Sequence, residues 1–173
     1  CMSQQVNQRD QTTEVNQFLT FVLSDEEFSI PVMSIKEIIE YGHLTHVPMV
    51  PAFIEGVVNL RGNAVPVIGL ANKLGLPVKP VDKRTCILII DAVIGEQTLI
   101  MGVVVDKVLQ VMDIAANQIE PSPKLGSAIH TDFIQGMAKV EQQFLIILDI
   151  LKVLSSDEIA AVQSVSDQAN DQH

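Results

Sequence analysis

The chain nearly repeats itself, and a repeat limits what it can fold into. Phe53-Ile54-Glu55-Gly56-Val57-Val58 returns as Phe133-Ile134-Gln135-Gly136-Met137-Ala138, and the match runs without a gap to Leu74 against Leu154. Four pairs are identical, the Phe, Ile, Gly and final Leu, while Val65/Leu145, Val67/Ile147, Ile68/Leu148 and Leu70/Ile150 stay apolar. A second echo lies upstream, where Ile30, Val32, Ile35 and Ile38 match Val103, Val105, Val108 and Val111 at one constant offset. Two similar units stacked in one molecule are implied, with their seam as the natural binding place.

Duplication also separates what folding needs from what it leaves free. Positions that both copies need should look alike. The sharpest contrast is Asn59-Leu60-Arg61-Gly62-Asn63 against Lys139-Val140-Glu141-Gln142-Gln143, which singles out Arg61. It is either a solvated turn arginine between two strands or a residue kept for a partner.

The chain has 173 residues, one ordinary domain or two small ones sharing a boundary. Units of about 65 to 70 residues bury only ~60% of their unfolded surface, so each copy should lean on the other. With 47% hydrophobic residues and 22 Val and 19 Ile against one Tyr and no Trp, the composition suits pleated strands. The apolar stretches Cys86–Ile90 and Leu99–Val105 fall far short of the ~20 residues of a membrane helix. A formal charge of −10 repels phosphates and disfavours nucleic acid or anionic lipid, which leaves proteins as the leading partner class. Cys86 reads as a small buried hydrophobe. Cys1, ahead of Met2, is set aside from fold reasoning. No secretory pattern or paired-cysteine framework is seen, so a reducing, cytoplasmic home is expected.

Residues 1–16 read as a loose polar tail. Strands are expected at 17–23 and 28–32, joined by the acidic turn Ser24-Asp25-Glu26-Glu27. Ile35, Ile38 and Ile39 fit either a short helix over 34–40 or a bulged strand. Val47-Pro48-Met49-Val50-Pro51 marks a loop. Strands resume at 54–60 and 63–68 around a tight corner at Arg61-Gly62, followed by a helical turn over 70–74 that Gly75 ends. The linker 77–83 separates the copies. The second copy follows with strands at 85–91, 99–106 and 107–112, an irregular stretch 117–127, strands at 133–140 and 144–149, and a helical turn at 150–154. Beyond Ser155 an acidic, polar tail, 156–173, reads as a frayed helix in which Ile159 and Val162 could dock. Many short strands with frequent turns imply an all-β architecture of two packed five-stranded barrels.

Chemistry is hard to find in this pattern. No glycine-rich phosphate loop is present. His43 and His46 lie three apart but have no third ligand nearby in sequence, so incidental surface histidines are expected rather than a metal site. Asp91, Asp106 and Asp149 each end an apolar strand, where aspartate commonly accepts hydrogen bonds from turn amides; a general acid and base would need two of them to converge. His130 and Asp132 could form a pair but lack an evident nucleophile.

Taken together, Phe18 to Ile30, Ile35-Lys36-Glu37-Ile38, the run Pro51 to Gly62 and Gly102 to Val108 resemble the CheW family of bacterial chemotaxis adaptors. The likeness covers about residues 17–155. Its most specific element is Asn59-Leu60-Arg61-Gly62 after Phe53-Ile54-Glu55-Gly56 and before Val65-Pro66-Val67; Phe144 to Ile150 fits too. The resemblance implies an all-β fold of two packed, intertwined SH3-like five-stranded β-barrels with short helices, about 17–80 and 84–155, with the first strand exchanged between them. It further implies no catalysis and no cofactor or metal. The function implied is coupling of transmembrane chemoreceptors to the histidine kinase CheA in arrays at the membrane. The cytoplasmic tip of a methyl-accepting receptor would lie between the barrels, and the kinase's regulatory domain would pack on a barrel end. The positions implied are Ile35, Glu37, Ile38, Gly56, Arg61 and Gly62 in the first copy, with Cys86, Gly102, Val108 and Val111 in the second.

The chain departs from the family pattern after Val67, where Gly69-Leu70-Ala71 stands in place of the Asp-Leu-Arg of many relatives. Any contact made by that aspartate or arginine is not carried over. Within the family the alternative is a paralogue serving another chemosensory array, such as one for pilus motility. Outside it, the rivals are a double barrel that binds a small molecule or nucleic acid, and an enzyme acting through Asp91 and Asp106. An aromatic content of 4% argues against stacked bases.

Overall fold

Alternating β-branched side chains drive most of this chain into strands. In Cys86–Ile94, Ile87 and Ile89 point to one side and Leu88 and Ile90 to the other, and all four are buried, so both faces of the strand are covered. The computed structural model describes residues 15–120 and 133–171. Its strands are β1 (Val15–Leu23), β2 (Glu26–Pro31), β3 (Ile35–Glu40), β4 (Ile54–Leu60), β5 (Asn63–Gly69), β6 (Cys86–Ile94), β7 (Gln97–Val105), β8 (Lys107–Ala115), β9 (Ile119–Glu120), β10 (Ile134–Val140) and β11 (Gln143–Leu148). The helices are α1 (Leu70–Leu74), α2 (Ile150–Val153) and α3 (Ser156–Asp171).

Two sheets form, in the orders β3-β6-β7-β5-β4 and β8-β1-β2-β11-β10-β9. They are one design written twice, with the hairpins traded. The β6–β7 hairpin of the second half lies between β3 and β5 of the first, and the β1–β2 hairpin of the first half lies between β8 and β11 of the second. The register repeats as well. Val67 pairs with Gly102 in parallel, as Ile147 does with Ser29, and a bulge falls at Ile54/Gly56 and again at Ile134/Gly136. Even the bond closing each unit recurs: Gly69 N–H donates to the Phe53 carbonyl at 2.8 Å and Asp149 N–H to the Phe133 carbonyl at 3.0 Å. Neither half keeps a sheet of its own strands alone, which is how two small units obtain one adequate core.

Each sheet curls closed. β8 and β9 occupy opposite edges of the six-stranded order, yet only the 3-10 turn Ala116–Gln118 separates them in the chain. In the five-stranded sheet the segment after β3 crosses to β4, where Thr45 and Val57 exchange hydrogen bonds of 2.9 Å both ways. The strand counts differ because the crossing segment extends over two residues in one barrel and a single bridge in the other. Val65, Val67, Ile87 and Ile89 fill one interior, Phe18, Ile114, Ala138, Leu145 and Ile147 the other. A larger cluster containing Phe21, Phe28, Ile30, Leu88, Ile90 and Val103 joins the two sheets.

Several expectations need correction or refinement. Residues 35–40 form the bulged strand rather than a helix, because pairing with β6 slips between Ile35↔Ile90 and Glu37↔Ile89. Asp91 lies within β6 and not at its end, since Ala92 and Ile94 continue the pairing with β7. Val15 and Asn16 already belong to β1. The rest of the expected N-terminal tail, the stretch 121–127 and His130 and Asp132 lie outside the described residues. The C-terminal tail is a helix of 16 residues. Ser155 and Glu158 form a reciprocal cap at 2.8 and 3.2 Å, and Val162 and Val165 bury in the central cluster.

Candidate functional site

The β4–β5 corner is a two-residue turn with Arg61 at φ 52° and Gly62 at φ 88°, the doubly left-handed geometry that matches strand twist. Asn59 secures it, its Oδ1 accepting from the Gly62 N–H at 2.9 Å. The second copy builds the same corner from Glu141 at φ 49° and Gln142 at φ 70°, so the turn survives without glycine. What the second copy lacks is the positive charge. Arg61 reaches back to β3 and grips Glu37 with both nitrogens, Nη1 to Oε2 at 2.7 Å and Nη2 to Oε1 at 3.4 Å. The arginine side chain remains 72% exposed against 23% for the glutamate. A two-point grip fixes the guanidinium plane while leaving its outer edge open to a partner.

Apolar side chains occupy the other face of β3. Ile35 and Ile38 pair with Ile90 and Leu88 on the side of the central cluster while Glu37 pairs with Ile89 on the opposite side, and the counterparts of the two isoleucines at the constant offset, Val108 and Val111, stand on β8 of the other barrel. Ile35 and Val108 both pack against the shared central cluster, so β3 and β8 border the seam from different sheets. Ile38 is 44% and Val111 50% exposed, so each barrel leaves an apolar side chain in solvent on this strand.

The remaining implied positions have other neighbours. A Cβ on Gly56 would sit 2.6 Å from the Thr45 carbonyl oxygen, so this buried glycine lets the crossing segment close the barrel. Gly136 meets Ile119 and Glu120 in the same way, which explains why the Phe-Ile-x-Gly run is duplicated. Gly102 is buried beneath Ile87 and Val67. Gly62 has open space around it. Cys86 is half-buried at the start of β6, and burial, then the Glu40 charge, push its thiol up and away from the thiolate that nucleophilic chemistry needs.

Gly69 has a local explanation. The Glu55 carboxylate lies across it, and a Cβ there would come within 2.7 Å of Glu55 Oε2. Burial raises the pKa of Glu55, opposed by a hydrogen bond from the Tyr41 hydroxyl at 3.3 Å and by the His46 charge. An aspartate at position 69 would press a second carboxylate onto this group. In the second copy neutral Gln135 takes the place of Glu55, and Asp149 takes that of Gly69, capping α2 by accepting from the Leu151 N–H at 3.2 Å.

Asp91 and Asp106, the pair the enzyme reading needs, line different clefts, and Asp91 shares its cleft with Asp149. Asp106 Oδ2 accepts from the Ser24 N–H at 2.8 Å. His43 and His46 are exposed, and among the described residues no three His, Cys, Asp or Glu side chains gather as a ligand set. No helix among the described residues is long and apolar enough to cross a membrane. Sequence reading missed Asn170, whose amide clamps both backbone groups of Ala64 at 2.9 and 3.3 Å and so braces the strand leaving the Arg61 corner. The S-x-x-E cap at Ser155 was the available signal for that helix.

Known proteins carry the same pattern. The family model for the CheW-like domain matches residues 17–158. The chain is 35% identical over 150 residues to the chemotaxis protein CheW of Klebsiella aerogenes, covering 87% of this chain and 88% of that protein. It is 34% identical over 152 residues to the chemotaxis protein CheW of Bacillus subtilis, covering 87% and 93%. The crystal structure of the scaffolding protein TtCheW from Thermoanaerobacter tengcongensis superposes with a TM-score of 0.74 at 30% identity, over 83% of this chain and 90% of that one.

Proposed function

This chain belongs to the CheW family, and from that membership we propose that it is a non-catalytic adaptor coupling chemoreceptors to the histidine kinase CheA in bacterial chemotaxis. One surface takes the cytoplasmic tip of a methyl-accepting receptor, another takes the kinase's regulatory domain, and receptor state passes to the kinase through the geometry of the complex. The adaptor works in the cytoplasm, held at membrane-associated arrays by these partners.

The observation that carries the reading is the Arg61–Glu37 pair, its guanidinium exposed at the corner where the two copies differ in charge, on a strand whose other face carries Ile35 and Ile38. An exposed ion pair contributes only about 0–1 kcal/mol. Covering an exposed Val or Ile completely contributes about 1.5–3 kcal/mol. Ile38 and Val111 therefore supply affinity, and the charged pair supplies orientation and choice of partner. Gly56 and Gly102 act by keeping the barrels closed beneath that surface.

Arg61→Ala tests the reading. The variant should melt with the parent, because the side chain is largely exposed, and should form fewer ternary complexes with receptor fragment and kinase. Unfolding, or ternary assembly equal to the parent's, overturns the role given to Arg61.

A further inference from the structure

The pseudo-symmetry of the barrels produces two matching clefts, and only one of them is walled by the linker. The first, about 230 Å³, is built on Glu55, Gly69, Leu70 and Ala71, and the linker between the halves walls it through Val78, Lys79 and Val81. The second, about 270 Å³, is built on the matching Gln135, Asp149, Ile150 and Leu151, and its remaining lining comes from β2, the adjoining 3-10 turn, β6 and Leu148 of β11, with no linker residue among the described residues that line it. Its lips are apolar side chains left in solvent, Val93 at 64% and Leu151 at 37% exposed.

We propose that this second cleft binds an extended, positively charged peptide segment of a partner protein, laid along it as the linker lies along the first. The chemistry of the occupant can be read from the linker. Pro77-Val78-Lys79-Pro80-Val81 presents two valines three residues apart with a lysine between them, and Lys79 Nζ pairs with Asp25 at 2.7 Å. The second cleft carries two carboxylates, Asp91 and Asp149, and among the described residues neither has a lysine or arginine within ion-pair distance. A chain of net charge −10 adds a long-range pull on a cationic segment. The chain's own counterpart of the linker does not supply this chemistry. The sequence preceding β1 that corresponds to the linker is Gln8-Arg9-Asp10-Gln11-Thr12-Thr13-Glu14, with no apolar residue to place where Val78 and Val81 stand.

The linker itself provides the probe, as a synthetic peptide of sequence Leu-Pro-Val-Lys-Pro-Val-Asp-Lys titrated into the full chain while amide and methyl NMR signals are followed. Saturable shifts are expected at Ala92, Val93 and Leu151. Leu151→Ser, a substitution at a partly exposed site that should leave the melting curve unchanged and adds no charge, is expected to weaken binding about tenfold, the loss of one apolar anchor. A peptide with both lysines changed to glutamate should bind at least as poorly. Three results overturn the proposal: no saturable shift, shifts confined to the Glu55 cleft, or equal binding of the charge-reversed peptide. Receptor and kinase are absent from the titration, so its failure leaves the coupling role untouched.

Discussion

Alanine at Gly56 would meet backbone, and backbone cannot step aside. The new Cβ would lie 2.6 Å from the Thr45 carbonyl oxygen, the same oxygen that accepts from the Val57 N–H at 2.9 Å. Relieving the clash separates the crossing segment from β4 and breaks both hydrogen bonds of the Thr45–Val57 bridge, which contribute about 0.5–1.5 kcal/mol each. The residue also sits at φ 156°, and holding alanine in that sparsely populated region costs about 1–3 kcal/mol. A total loss of about 2–6 kcal/mol is expected, a large share of the stability of a domain this size. Gly136→Ala is the internal control. Its nearest obstacle, at 2.7 Å, is the Ile119 side chain, the Glu120 carbonyl oxygen stands off at 3.0 Å, and φ is not left-handed, so about 1–2 kcal/mol should be lost. Urea unfolding of both variants, checked for an unchanged slope, gives the comparison. A loss below about 1 kcal/mol for Gly56→Ala, or a larger loss for Gly136→Ala, would refute closure of the barrel through this glycine.

Glu55 gives a pH signature. Its pKa is raised chiefly by burial, so the folded state holds the proton more tightly than the unfolded one, and stability is lost as pH rises from the ordinary carboxylate value through the raised one. Glu55→Gln should therefore melt higher than the parent at neutral pH and no higher in acid; an equal gain at both would exclude titration as the cause. Gln142→Gly relieves a left-handed side-chain residue in a turn that Gly62 already occupies in the first copy, and should raise stability by about 1 kcal/mol in the same urea assay. Ser155→Ala removes the helix cap and should cost about 1 kcal/mol, read as faster amide exchange over residues 159–166. Lys73→Met should mimic it in part, because Lys73 pairs with Glu158 at 2.7 Å.

Legibility in the sequence followed the range of the interaction. Strands and corners governed by neighbours a few residues apart could be read directly: the repeat located β4–β5–α1 and β10–β11–α2, and Gly75 with φ 75° ends α1 as expected. The bulge in β3 could not be separated from a helical turn, since Ile35, Ile38 and Ile39 satisfy both patterns until β6 supplies a partner. The trading of hairpins left no local pattern, because β1 pairs with β8 across some ninety residues; the family resemblance implied exchange of the first strand, and the structure exchanges both the β1–β2 and the β6–β7 hairpins. The Arg61 corner stood out because the two copies disagree there, although its grip on Glu37 depends on β3 and β4 being brought to one side of the barrel. The duplicated glycines taught the opposite lesson. Both copies keep Gly56 and Gly136 where a Cβ would meet the segment that closes each barrel, a demand of folding that the two copies share.

The coupling role is tested most directly by rebuilding the assembly from purified receptor signalling fragments, CheA kinase and this chain, then measuring kinase autophosphorylation in the sedimented fraction. The chain should sediment with both partners and raise kinase activity only when all three are present. Sedimentation with neither partner, or kinase activity unchanged by adding the chain, would contradict the account.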